Sequence, residues 1–389
     1  MRRVCLAVMA LIAGVPAVAS AHARSVSYSR IYARSDGATI QLRMRALDRN
    51  ALGVYLRRAG LSVERYVVGA LQLHSRAGAC VADPSAVTRL TSAKGWLRYE
   101  WHVHCDDAPV RLRSDVLVDV VSAHMHMGRI DMPGRAPLDY VFTEDTRSVA
   151  IGDAAVAHSL PATVLRYARL GIGHLLSGYD HLVFLLLLVL AAGSLRELAG
   201  IASGFTLGHS LSLAMAVTGF ATPRAGLVEA LIGLSIVIVA VENVWLGEQR
   251  RSLAIPGVAV AGVLACTLWA PGVALALFGV ALFVAAYFGL LSRADSPVRL
   301  RLLVAGLFGL IHGFGFAGAI VALSPSTDHL AAALAGFNLG IEVAQLGVLV
   351  LAWPVVVMLR RRPGAHLWCV QAGSAAAAAV GFVWFLTRV

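Results

Sequence analysis

The chain has 389 residues, 58% of them hydrophobic and only 14% charged, and its mean hydropathy is +0.73. That balance excludes an ordinary soluble globule and points to a membrane protein. The net charge of +11 does not mark a nucleic-acid binder, because Lys94 is the one lysine among 33 basic residues and no basic tract is present to follow a phosphate backbone.

Residues 1–21 read as a secretory signal peptide: Arg2 and Arg3, an apolar run VCLAVMALIAGV, and the small residues Ala19-Ser20-Ala21 at the cleavage site. Export would place residues 22–160 in the periplasm. Four stretches there, ATIQLRMRAL, WLRYEWHVHC, RLRSDVLVDVVSAHMHM and LDYVFTEDTRSVAI, alternate apolar with polar residues between Gly, Asp and Pro. They predict an all-β, sandwich-like domain, with RNALGVYLRRAG as a helix or a connecting loop. Cys80 and Cys105 are the only cysteines of this exported part and are expected to form a disulfide. His102 with His104, and His124 with His126, are i, i+2 pairs that a strand projects to one face. Each pair is a candidate periplasmic metal patch; a plain solvated face is the alternative.

From about residue 161 to 389 long apolar runs predict a helical polytopic membrane domain of about eight spans, near 172–193, 197–219, 225–246, 253–270, 272–292, 300–323, 330–358 and 366–387. Pro271-Gly272 divides 253–292, so that stretch is two full spans or a re-entrant pair. Cys266 and Cys369 lie in separate apolar runs, where packing is the expected role. With the β domain outside, the inner loops hold Arg196, Arg250, Arg251, Arg293, Arg299, Arg301, Arg360, Arg361 and Arg362. The outer side holds Arg166, Arg169, Arg224 and Arg388. This asymmetry fits the positive-inside rule and a bacterial inner-membrane location with the N-terminal domain in the periplasm.

Ionisable residues inside spans are costly and by default mark a site. His174 and His181 are seven apart, two turns on one helical face, with Asp180 able to swing toward the same cavity. His209 lies in FTLGHSLSL beside Ser210, and His312 in GLIHGFGFAG. Asn338, Glu342 and Gln345 form an i, i+4, i+7 stripe in FNLGIEVAQ. At overlapping depths, His174, Asp180, His181, His209, His312 and Glu342 suit a divalent first-row metal such as nickel or zinc; the lack of a thiolate disfavours a soft-metal site. Glu242 and Asn243 lie deeper. Glu242 is either a second station on an inward path or a helix-end carboxylate paired with Arg250 or Arg251.

GHLLSGYDHLVFL, FTLGHSLSL, IVAVEN, GLIHGFGFAG and FNLGIEVAQ, in this order over about 165–387, resemble the HupE/UreJ family of hydrogenase- and urease-accessory membrane proteins, in its longer branch with an exported N-terminal domain. The resemblance implies a nickel-linked inner-membrane protein, with metalloenzyme-maturation proteins as partners. His174, Gly178, Asp180 and His181 fit the H-x-x-x-G-x-D-H motif of the short nickel permeases. Their second motif, H-G-x-A-H-G-x-E, is half present: His312 and Gly313 match, Phe316 stands in place of the second histidine, and the glutamate is absent. The expected function is transition-metal transport, most of all of nickel. The alternative is an intramembrane zinc-dependent hydrolase, in which the same His/Asp cluster holds zinc, Asp180 or Glu342 is the base and Ser210 stabilises an oxyanion. Transport needs polar stepping stones in the inner half, for which Glu242, Asn243 and Gln345 are candidates; hydrolysis needs a sealed one.

Overall fold

A computed structural model describes residues 25–388 apart from 93–94, 122–123, 136, 143–145, 152–159, 222, 249–251, 269–270, 295–296 and 324–329. The expected signal peptide lies outside the described residues. Two compact units are present, one comprising residues 24–163 and 319–333, the other 164–318 and 334–389.

The first unit contains β1 (Val26–Arg34), β2 (Gly37–Arg45), α1 (Arg49–Ala59), α2 (Val63–Ala70), β3 (Leu71–His74), β4 (Thr88–Leu90), β5 (Trp96–His104), β6 (Arg111–Ser114), β7 (Met125–Asp131), β8 (Leu138–Phe142) and β9 (Ser148–Ala150). The strands make a six-stranded sheet in the order β4-β5-β2-β1-β7-β8 and a three-stranded sheet in the order β3-β6-β9. Strands β1 and β7 run parallel, with Ser27 opposite His126 and Ile31 opposite Ile130. Period-two alternation sends Ile40, Leu42 and Met44 of β2 and Leu97, Tyr99, Trp101 and Val103 of β5 into one core.

The all-β expectation needs correction, because α1 and α2 help to build that core. Leu52 and Leu56 of α1 and Tyr66, Val67 and Ala70 of α2 join Ile31, Leu73, Trp101 and Leu112 there. The four-residue spacing of Leu52 and Leu56 makes RNALGVYLRRA an amphipathic helix, not a loop. Gly60, at φ 64°, ends it in the left-handed conformation that glycine adopts most readily. Cys80 and Cys105 form the expected disulfide, their Cα atoms 4.5 Å apart.

The helical segments that follow are α3 (Leu160–Ser177), α4 (Tyr179–Ala191), α5 (Leu195–Val217), α6 (Ala225–Gly247), α7 (Ala254–Cys266), α8 (Ala274–Arg293), α9 (Pro297–Leu323), α10 (Leu330–Arg360) and α11 (Pro363–Leu386). Among the described residues, six helices are individually long and apolar enough to cross a membrane: α5, α6, α8, α9, α10 and α11. The two remaining expected spans differ from the prediction. The first is a pair, α3 and α4, bent by 72°. Helix α7 has 13 residues and rises about 20 Å, short of the ~30 Å apolar core.

The α4–α5 turn is held by its own sequence. Ser194 Oγ accepts from Glu197 N at 3.2 Å and Glu197 Oε2 accepts from Gly193 N at 3.0 Å, as in a capping box. Arg360 donates to the carbonyls of Ala192 and Gly193, next to the last residue of α4. Helices α5 and α9 approach backbone to backbone. A Cβ on Gly309 would lie 2.0 Å from Phe205 O and one on Gly313 would lie 2.4 Å from His209 O, so glycine alone permits the contact. That approach brings His209 and His312 to neighbouring positions.

Candidate metal centre

His174 sits in the last turn of α3, and Asp180 and His181 in the first turn of α4. On one continuous helix, seven residues would separate the two histidines by about 10 Å along the axis. The 72° break instead brings their rings to 4.9 Å between centroids. The two histidines do converge, but the break unites them and not a shared helical face. Gly178 lies at the break in an extended conformation, and its lack of a side chain leaves room for the two ligands: a Cβ there would lie 2.6 Å from His181 Nδ1 and 3.1 Å from Asp180 Oδ1. This is the physical content of the glycine in H-x-x-x-G-x-D-H.

Two groups of metal-competent atoms result. One ring nitrogen from each of His174, His181 and His209 lies within 4.8 Å of the other two, and so do ligand atoms of Asp180, His181 and His312. His181 belongs to both. All five side chains are buried, none more than 3% exposed. Ligands around a tetrahedral ion with ~2.05 Å bonds stand about 3.4 Å apart, inside the 4.8 Å that bounds each group. Imidazoles with one carboxylate could hold a divalent transition metal.

Ser235 on α6 was not legible as part of this site. Its hydroxyl donates to Ile232 O at 2.7 Å, so it accepts from His312 Nε2 at 3.0 Å. That assigns the proton to Nε2 and leaves Nδ1 of His312 as the basic nitrogen for a metal. Aromatic rings close the site: Phe316 lies 4.1 Å and Phe337 5.5 Å from the His174 ring, and Phe205 lies 5.0 Å from that of His312. Phe316, standing where the nickel-permease motif carries its second histidine, thus faces the cluster.

Glu342 is not among the grouped ligands. It accepts from Ser203 Oγ at 2.5 Å and from Gln345 Nε2 at 2.6 Å, and Gln345 Nε2 also donates to Thr206 Oγ1 at 2.6 Å. Ser210 donates to Thr206 O of its own helix at 2.7 Å. Asn243 Nδ2 donates to Leu187 O and Asn338 Nδ2 to Leu334 O, both at 2.8 Å. Glu242 accepts from Arg301 Nε at 2.5 Å and Tyr287 Oη at 2.7 Å, and Arg301 Nη1 reaches Glu197 Oε1 at 2.8 Å. Its partner is therefore Arg301, and Arg301, counted above among the loop arginines, is 5% exposed. Arg250 and Arg251 lie outside the described residues.

In the N-terminal unit His102 and His104 are exposed on β5, with Thr39 Oγ1 3.0 Å from His102 Nδ1. His124 and His126 are buried, which overturns a solvent-facing patch for that pair. Ser25 Oγ donates to Asp48 Oδ2 at 2.8 Å, so His124 Nδ1 donates to Ser25 at 2.6 Å. The neutral ring then accepts from Ser27 at 2.8 Å through Nε2. His126 repeats the pattern, donating to Ser27 at 2.7 Å and accepting from Ser29 at 2.9 Å. All four ring nitrogens are thereby occupied in a one-way ladder. Burial pushes the His124 imidazole down to about 3 and that of His126 well below its ordinary value, with His124 adding to the latter shift.

The family profile described as HupE / UreJ protein matches the chain over residues 152–265 and 260–388, more than half its length and all the helices that carry the cluster. A comparison with curated proteins finds no match.

Proposed function

The chain belongs to the HupE/UreJ family, and on that premise we propose that it is an inner-membrane permease for a divalent transition metal, above all nickel. The observation that carries this reading is the buried convergence of His174, Asp180, His181, His209 and His312 from four helical segments, α3, α4, α5 and α9. Buried imidazoles on apolar helices are costly unless they serve an ion or a proton. In the proposed orientation the N-terminal unit is periplasmic and the arginine-rich loops are cytoplasmic.

Nickel would exchange its water for imidazole nitrogens at the α3–α4 break. Asp180, at the N-terminus of α4, would supply a carboxylate that offsets the ion's charge. Ser235 holds His312 in the tautomer that ligates through Nδ1. A permease site must release what it binds, so exchangeable coordination is expected of it. Metalloenzyme-maturation proteins would receive the ion inside.

The test is uptake of radioactive nickel by cells and by proteoliposomes, comparing the native protein with His181→Ala and His312→Ala. Both variants should lose uptake while still inserting in the membrane. Uptake indifferent to both, with zinc retained by the purified protein, would favour the hydrolase reading. That chemistry is not helped by Ser210, whose hydroxyl is committed to Thr206 O.

A further inference from the structure

We propose that Glu342, with Ser203, Thr206 and Gln345, forms a second, oxygen-lined station for the same divalent cation, next in line after the histidine cluster. The proposal rests on the permease reading and moves Glu342 out of the first coordination site. On α5, His209, Thr206 and Ser203 recur every three residues toward the helix N-terminus, a step of about 4.5 Å each along the axis. On α10 the Phe337 ring lies 6.2 Å from that of His209, and Glu342 follows five residues later, about 7.5 Å on. Both helices therefore lead from the cluster to the same place, where Ser203 and Gln345 hold one oxygen each of the Glu342 carboxylate.

That carboxylate has two neutral donors and, among the described residues, no basic side chain paired with it. Its neighbours Leu339 and Val343 are exposed apolar side chains of a membrane-length helix. A carboxylate without counter-charge is expensive in such a setting, and a cation offsets the cost. Gln345 supplies a second indication: it is fully buried, and its Oε1 has no hydrogen-bond partner among the described residues. Turning the amide over puts Oε1 where Nε2 now stands, beside Glu342 Oε2 and Thr206 Oγ1. The station would then offer carboxylate, amide and hydroxyl oxygens. Such oxygens hold nickel or zinc less firmly than imidazoles do, so a transfer from nitrogen to oxygen ligands runs toward release.

Equilibrium dialysis of the full-length protein in lipid nanodiscs against Ni²⁺ tests this. The native chain should show a tight class of site and a weaker one. Glu342→Gln should abolish the weaker class, leave the tight one unchanged and slow uptake by about tenfold or more, the equivalent of about 1.4 kcal/mol. Gln345→Leu, which keeps the carboxylate, should weaken the second class without removing it. The proposal is overturned if Glu342→Gln keeps both classes, transports normally, or loses the tight class, since the last result would return Glu342 to the histidine cluster. Failure of the permease reading looks different: the tight class would survive His181→Ala.

Discussion

Lowering the pH from 7.5 to 5.5 should loosen the N-terminal unit where β1 and β7 pair. His124 and His126 sit in the serine ladder with imidazoles held far below their ordinary value, about 3 for His124. Both stay neutral in the fold across this range, whereas in the unfolded chain they titrate near 6.5. A base whose folded pKa is depressed favours the fold fully above its unfolded pKa, and that contribution is lost as the pH falls below it. One unit below 6.5 each histidine costs about 1.4 kcal/mol, and the pair about 3 kcal/mol. Asp48, at the end of the ladder, acts with the opposite sign: burial raises its carboxyl, so its protonation as the pH falls favours the fold. Hydrogen exchange by mass spectrometry on the full-length protein reads the effect directly. After correction for intrinsic rates, protection of amides in Val26–Arg34 and Met125–Asp131 should fall by about a hundredfold. The double variant His124→Gln/His126→Gln should lose this pH dependence. Unchanged protection at pH 5.5, or an equal fall in the double variant, would refute the ladder as the cause.

Three substitutions in the helical unit have defined outcomes. Gly178→Ala places a methyl 2.6 Å from His181 Nδ1, and isothermal titration should show nickel affinity reduced by about tenfold or more with the protein still folded. Arg301→Gln leaves Glu242 and Glu197 without their shared cation, at a cost of about 3–5 kcal/mol. Thermal unfolding in detergent should register the loss, and adding Glu242→Gln should recover part of it. Phe316→His puts an imidazole against His174, whose ring now lies 4.1 Å from Phe316. Competition with a chelating dye should then report tighter nickel binding and slower uptake, because release is hindered; unchanged affinity would count against a ligand position at 316.

Five of the six residues expected together, His174, Asp180, His181, His209 and His312, were legible in the sequence, because histidine and aspartate in long apolar runs have few structural uses; Glu342 was counted with them from its depth and is not grouped with them. How they meet was less legible. His174 and His181 looked like neighbours on one helix because the spacing of seven suits that geometry, while Gly178, at which the helix breaks, reads in the sequence only as a position of the motif. Ser235 left no trace, since one serine in an apolar helix carries no spacing signal. Arg301 read as a loop arginine from its nearness to a span end, and its pairing with Glu242 spans 59 residues, beyond any local pattern. The alternation that paired His124 with His126 was real, but it could not say which face was inward. The matching alternation of Ser25, Ser27 and Ser29 was the available clue: a second strand of polar residues in register makes a buried ladder as readily as a wet face.

The most direct test of the account is nickel X-ray absorption on the purified full-length protein loaded with one equivalent of Ni²⁺. Multiple scattering from several imidazoles with oxygen ligands, lost in His181→Ala and reduced in His174→Ala and His312→Ala, is the predicted result. A spectrum of oxygen ligands alone, or an imidazole signal that survives His181→Ala, would contradict it.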